Sequence, residues 1–111
     1  MHNSLKLFRN TNKESLFAQV ENFMATSNVS GMSISIELDG NEIVALLGYV
    51  DGNEANLTYK LVSKEIGQLS VQTDSETQDI INNVANEMGS FVCQSVVYNE
   101  GLLSIAFLIA N

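Results

Sequence analysis

A chain of 111 residues, 45% of them apolar and 16% charged, is long enough for one hydrophobic core, too short for two, and too apolar to be disordered. Its formal charge of −8 is unevenly divided: residues 1–13 carry Lys6, Arg9 and Lys13 with no acid, giving +3, whereas residues 14–111 hold all 13 acids against Lys60 and Lys64, giving −11. Such an acidic body repels phosphate backbones and argues against nucleic-acid binding except through the short basic arm, and a lone cysteine, Cys93, excludes an intrachain disulfide.

No apolar run reaches the length of a membrane span, and Met1 to Asn10 carries no signal-peptide core. The expectation is therefore a single soluble, cytoplasmic domain over residues 1–111, with 1–10 as a mobile basic arm whose Leu5, Leu7 and Phe8 suit either a short edge strand or packing of the arm on a neighbour. Thr11 and Glu14 have capping-box spacing, and Leu16, Phe17, Val20, Phe23 and Met24 follow at helical intervals, predicting a first helix over Asn12 to Ala25 with one face to bury.

From Met32 the apolar period falls to two, with Met32, Ile34, Ile36 and Leu38 alternating against Ser33, Ser35, Glu37 and Asp39, as a half-solvated strand requires. Asp39-Gly40 signals a hairpin. The nearly continuous apolar run Ile43 to Val50 reads as a central strand covered on both faces. Asp51-Gly52 turns the chain again, Leu57 to Val62 gives a third strand, Ser63 to Gln68 a loop or a bulge at Gly67, and Leu69 and Val71 a short fourth strand. The repeated Asp-Gly-Asn-Glu at 39–42 and 51–54 is turn chemistry used twice; neither copy continues into the spacing of a calcium loop.

The last third is the most strongly patterned. Thr73 and Glu76 repeat the capping-box spacing, Ile80, Ile81, Val84, Ala85 and Met88 form one helical face, and Gly89 supplies the stop. Phe91 to Tyr98 and Leu102 to Ile109, joined by Asn99, Glu100 and Gly101, form a hairpin. The fold class that follows is α+β, two-layered, with an antiparallel sheet of five to six strands and two helices on one face, in the order α-β-β-β(-β)-α-β-β.

Groups that carry chemistry are few. The only histidine is His2, no His/Cys cluster has zinc spacing, and no glycine run matches a phosphate loop, so neither a catalytic site nor a metal or cofactor is expected. Cys93, mid-strand, reads as a small buried hydrophobe. Asp74, Glu76 and Asp79 form the densest acidic cluster, which the helix dipole already explains.

The helix at Asn12 to Ala25, meander from Met32 to Val71, helix at Asp74 to Met88 and hairpin from Phe91 to Ile109, together with the acidic body, resemble the bacterial type III secretion chaperones and their non-secretion relatives. The stretch Asp79 to Ile109 is also similar to the small eukaryotic proteasome-assembly chaperones. The first resemblance implies a cytoplasmic homodimer that binds an extended segment of another protein on exposed apolar surface; the chain departs from it in ending after the last strand, without the usual final helix. The terminal strands themselves carry apolar residues in both alternation registers, more than helices on one face would cover. The leading expectation is thus a non-enzymatic protein-binding module, a dimeric chaperone-like or adaptor protein taking an apolar or basic partner segment through Val92, Val96, Tyr98, Leu103 and Ile105. One alternative is a small-molecule-binding protein or enzyme with a pocket of carboxylates and the tyrosines Tyr49, Tyr59 and Tyr98. Another is an acidic inhibitor that mimics a polyanion.

Overall fold

The computed structural model describes residues 4–111, which form β1 (Ser4–Asn10), α1 (Lys13–Ser27), β2 (Val29–Asp39), β3 (Glu42–Asp51), β4 (Tyr59–Gln68), α2 (Asp74–Met88), β5 (Phe91–Asn99) and β6 (Leu102–Ala110). Local chemistry sets both helices. The side chain of Asn12 accepts from the Ser15 amide at 2.9 Å, and Thr73 Oγ1 accepts from the Glu76 amide at 3.1 Å. Each therefore satisfies an amide that has no partner in the first helical turn. The first cap lies one residue beyond the expected Thr11. Both helices stop at a residue of positive φ, Asn28 (51°) and Gly89 (69°).

The strands form two antiparallel three-stranded sheets, ordered β1-β3-β2 and β4-β6-β5. This replaces the expected single sheet of five to six strands. Residues 4–10 are not a mobile arm: β1 pairs along β3 from Ser4↔Tyr49 to Asn10↔Ile43. With one edge of β3 held by β1 and the other by β2, no edge is left for β4. Accordingly Asp51-Gly52 does not close a hairpin but leads the chain out to the other sheet, its bend held by the Asn53 amide on Asp51 Oδ1 (2.8 Å) and the Gly52 amide on the Asn28 carbonyl (2.9 Å). Of the two expectations for Ser63 to Gln68, a loop or a bulge at Gly67, the structure has the second: β4 runs through to Gln68 with a register shift between Glu65 and Gly67, whereas Leu69 and Val71 lie in a turn and add no strand.

Each sheet and its helix form the same unit. In both, a strand, a 15-residue helix and a hairpin follow in that order, the last strand takes the middle of the sheet, and the first two flank it as a split βαβ. The second strand of each unit also carries an irregularity near its start, at Gly31/Ser33 and at Phe91/Cys93. The chain is thus a structural duplication. Aligned by their hairpins, β3 and β6 share no identical residue at corresponding positions, so only the physical pattern is repeated.

Alternation on β6 shows how the units join. Leu103, Ile105 and Phe107 pack with Ile80, Ile81, Val84 and Met88 of α2, while Ala106 and Leu108 join the cluster of Leu16, Phe17, Val20 and Met24 of α1. The helices therefore lie on opposite faces of the second sheet, not on one face. Helix α1 is wedged between the sheets and touches the outermost strand of each, β1 and β4. Opposite the wedge the sheets converge, where β5 side chains meet the edge of β2: Ile34 N–H donates to Cys93 Sγ (3.4 Å) and Ile36 N–H to Ser95 Oγ (3.0 Å). Two amides that a sheet edge would leave bare are thus satisfied. Cys93 is half-buried and tied to backbone, a more specific role than a small hydrophobe has.

Candidate functional site

The first sheet presents two faces of similar apolar content, and only one is covered. Phe8, Ile34, Ile36, Ile43, Ala45 and Leu47 point toward α1 and are buried. The pairings Leu5↔Gly48, Leu7↔Leu46 and Arg9↔Val44 place the alternate residues on the opposite, outer face. There Leu5 is 69% exposed, Leu7 57% and Leu46 39%, with Met32 and Leu57 exposed at one end. The expectation that β3 is covered on both faces is therefore corrected. Its outer side is open, because the second sheet packs against α1 and not against β3.

Gly48 lies on this face between Leu5 and Ser33 of the flanking strands, with the Ser33 hydroxyl filling the place a Cβ would take, and a trough of about 380 Å³ beside it is lined by Leu5, Met32, Ser33, Gly48 and Val50. Glu37, Asp39 and Glu42 stand at the hairpin end of the same face with Arg9, whose Nη1 is 3.0 Å from Asp39 and 3.6 Å from Glu42. The hydrogen bond that Arg9 donates to Asp39, more than the field of Glu42, raises the Arg9 pKa above its ordinary value. This rim remains acidic, with three carboxylates against one guanidinium.

The basic arm does not project free. Lys6 Nζ lies 5.8 Å and 5.3 Å from the ring centres of Phe8 and Phe23, Arg9 is held by acids, and Lys13 is buried with its amine 2.7 Å from Ser104 Oγ. A lysine beside a serine is a nucleophile–base geometry in some hydrolases. Here Ser104 is only 2% exposed, and the contact joins α1 to the second sheet.

The residues expected to meet a partner divide. Val96 (55% exposed) and Tyr98 (43%) lie on the α2 side of β5, and Val92 is exposed at the irregularity near its start. Leu103 and Ile105, buried under α2, are core. The tyrosines are dispersed. Tyr49 packs edge-on against Phe23, Tyr59 lines a cavity of about 300 Å³ between α1 and β4 with Glu21 and Lys60, and Tyr98 stands on β5. Asp74, Glu76 and Asp79 are exposed on the first turns of α2. His2 lies outside the described residues.

The missed surface, Leu5, Leu7, Val44 and Leu46, had a signal in the sequence: Leu5 and Leu7 alternate with Lys6 and Phe8, and Val44 and Leu46 occupy the second register of the apolar run from Ile43. Among the described residues no three His, Cys, Asp or Glu side chains cluster as metal ligands, and no helix is long and apolar enough to cross a membrane. The fold and surface define a duplicated βαββ domain with one bare apolar sheet face. Comparison with protein-family models, curated proteins and solved structures finds no match.

Proposed function

We propose that the protein is a non-enzymatic protein-binding module, chaperone-like or adaptor-like, that works as a cytoplasmic homodimer. The observation that carries this reading is the outer face of the first sheet, where Leu5, Leu7 and Leu46 are exposed beside half-buried Val44, with no element among the described residues packed on them. Side chains of this kind gain roughly 25 cal/mol per Å² when withdrawn from water, a gain a partner chain would supply. The smaller patch at Val92, Val96 and Tyr98 is a separate surface, suited to joining two copies. The acidic body would steer basic partners and speed their encounter.

The test pairs two variants. Tagged wild-type protein, Leu46→Glu and Val96→Glu are recovered from the cell of origin and compared by mass spectrometry and light scattering. Partner capture is expected to fail with Leu46→Glu, and the dimer to dissociate with Val96→Glu. A wild-type monomer at every concentration, with no partner lost on Leu46→Glu and no binding of an apolar-surface dye, would overturn the reading.

A second reading is favoured by the cavity between α1 and β4, which sets Glu21 and Tyr59 beside apolar Met24, Val29 and Leu61. Its volume is at the lower bound for small-ligand sites. A ligand held there would raise the melting temperature of the wild type but not of a Glu21→Gln, Tyr59→Phe double variant.

A further inference from the structure

We infer that the outer face of the first sheet is the seat of an amphipathic α-helix from a partner protein, one that carries basic residues along its polar side. This rests on the protein-binding reading and specifies the partner for that surface.

The duplication supplies the argument. In each unit the sheet has a near side, covered by its own helix, and a far side. On the second sheet the far side consists of Ser104, Ala106 and Leu108 of β6, with Leu61 of β4 and Val97 of β5, and it is covered by α1. Lys13 reaches Ser104 there, and the edge of β2 comes in beside it, with Gly31 close to Leu108 and Met24. The counterparts of Ser104, Ala106 and Leu108 on the first sheet are Val44, Leu46 and Gly48, the face left bare. Among the described residues the layers run sheet, α1, sheet, α2, and no helix lies on the outer face of the first sheet. Helix on sheet is thus how this protein already buries that class of surface.

The two ends of the layered body differ chemically. Helix α2 closes one end with exposed Gln78, Asp79, Asn82, Asn83 and Asn86, a polar cap of the kind that terminates stacked repeats. The outward residues of α2 are therefore a poor match for the bare face of another copy, since the exposed Val96 and Tyr98 at that end stand on β5 and not on the helix. At the bare end the rim of Glu37, Asp39 and Glu42 outnumbers Arg9 and favours a cationic flank. The trough beside Gly48, lined by Leu5, Met32, Val50 and the Ser33 hydroxyl, offers a seat for one apolar anchor. A helix of about 18 residues spans about 27 Å, close to the length of β3.

The probe is a synthetic helix of about that length, with leucine at i, i+3, i+4 and i+7 and lysine elsewhere. Its control is a peptide of the same composition with strictly alternating leucine and lysine, which favours a strand. Binding is measured by fluorescence anisotropy to the wild type, Leu7→Glu, Leu46→Glu and Asn83→Glu, an exposed position of α2, at low and at high salt, with the fold of each variant checked by circular dichroism. The helical peptide is expected to bind the wild type and Asn83→Glu alike. It should bind Leu7→Glu and Leu46→Glu about tenfold or more weakly at both salt concentrations. Three results would overturn the inference: equal binding of the alternating peptide, which indicates strand addition at the β1 edge; binding indifferent to Leu7→Glu and Leu46→Glu; or a wild-type dimer that Leu46→Glu dissociates, which indicates that a second copy covers the face. In the first and third cases the protein-binding reading stands while the helix is lost. If no peptide binds but a cellular partner is lost on Leu46→Glu, the helix inference fails alone.

Discussion

Lys13 and Ser104 illustrate how much one side chain can carry. A buried ammonium needs hydrogen-bond acceptors, and the Ser104 hydroxyl lies 2.7 Å from it across 91 positions of sequence. Ser104→Ala strips that contact and is expected to cost about 1–3 kcal/mol in urea unfolding. Lys13→Met, apolar and similar in length, leaves the buried Ser104 hydroxyl without this partner and is expected to be destabilising as well, and in that background Ser104→Ala should lose most of its penalty. Equal penalties in both backgrounds would show that the pair is not coupled. Glycine is required at two positions for different reasons. A Cβ at Gly31 would stand 3.0 Å from the ends of the Leu108 and Met24 side chains, which can shift, so Gly31→Ala should cost about 1–3 kcal/mol. At Gly52 it would stand 2.6 Å from the Asn28 carbonyl oxygen, which is backbone. Gly52→Ala is therefore expected to destabilise more than Gly31→Ala in the same experiment.

The two helices, equal in length, have unequal duties. Because α1 is pressed by a sheet on either side, Leu16 and Val20 are fully buried, and Phe17 and Met24 nearly so; α2 covers one sheet and keeps only Thr77 and Val84 buried. Leu16→Ala should then cost about 3–5 kcal/mol and lower the cooperativity of the whole molecule, whereas Ile81→Ala, half-exposed, should cost about 1–2 kcal/mol. Native-state hydrogen exchange provides the check, with α1 amides opening only with global unfolding and α2 amides opening earlier. Comparable protection in both helices would contradict the wedge assignment.

Across the whole molecule, charge and apolar surface act at different ranges. Acids predominate outside residues 1–13, while Lys6, Arg9 and Lys13 are engaged internally, so the molecule meets other chains as an anion. A basic partner should associate more slowly as salt rises, with less change in dissociation if the seat is the apolar face of Leu7 and Leu46. Stopped-flow rates at low and physiological salt measure this, and an association rate indifferent to salt would remove the electrostatic part of the proposal.

Local order was written in the sequence: both helices and the 91–109 hairpin follow from spacing, caps and turn residues, which act over a few positions, while for Ser63 to Gln68 those signals left a loop and a bulge at Gly67 both open. Tertiary structure alone decided which strands pair. Whether Leu5 to Asn10 is an arm or a strand depends on β3 offering a free edge, and Asp51-Gly52 reads like Asp39-Gly40 although only the latter closes a hairpin. Two-sided greasiness was visible in both Ile43–Val50 and Leu102–Ile109. Only packing determined that α1 and α2 cover both sides of β6 while β3 keeps one side bare, because alternation along a strand specifies two faces but not what lies against either.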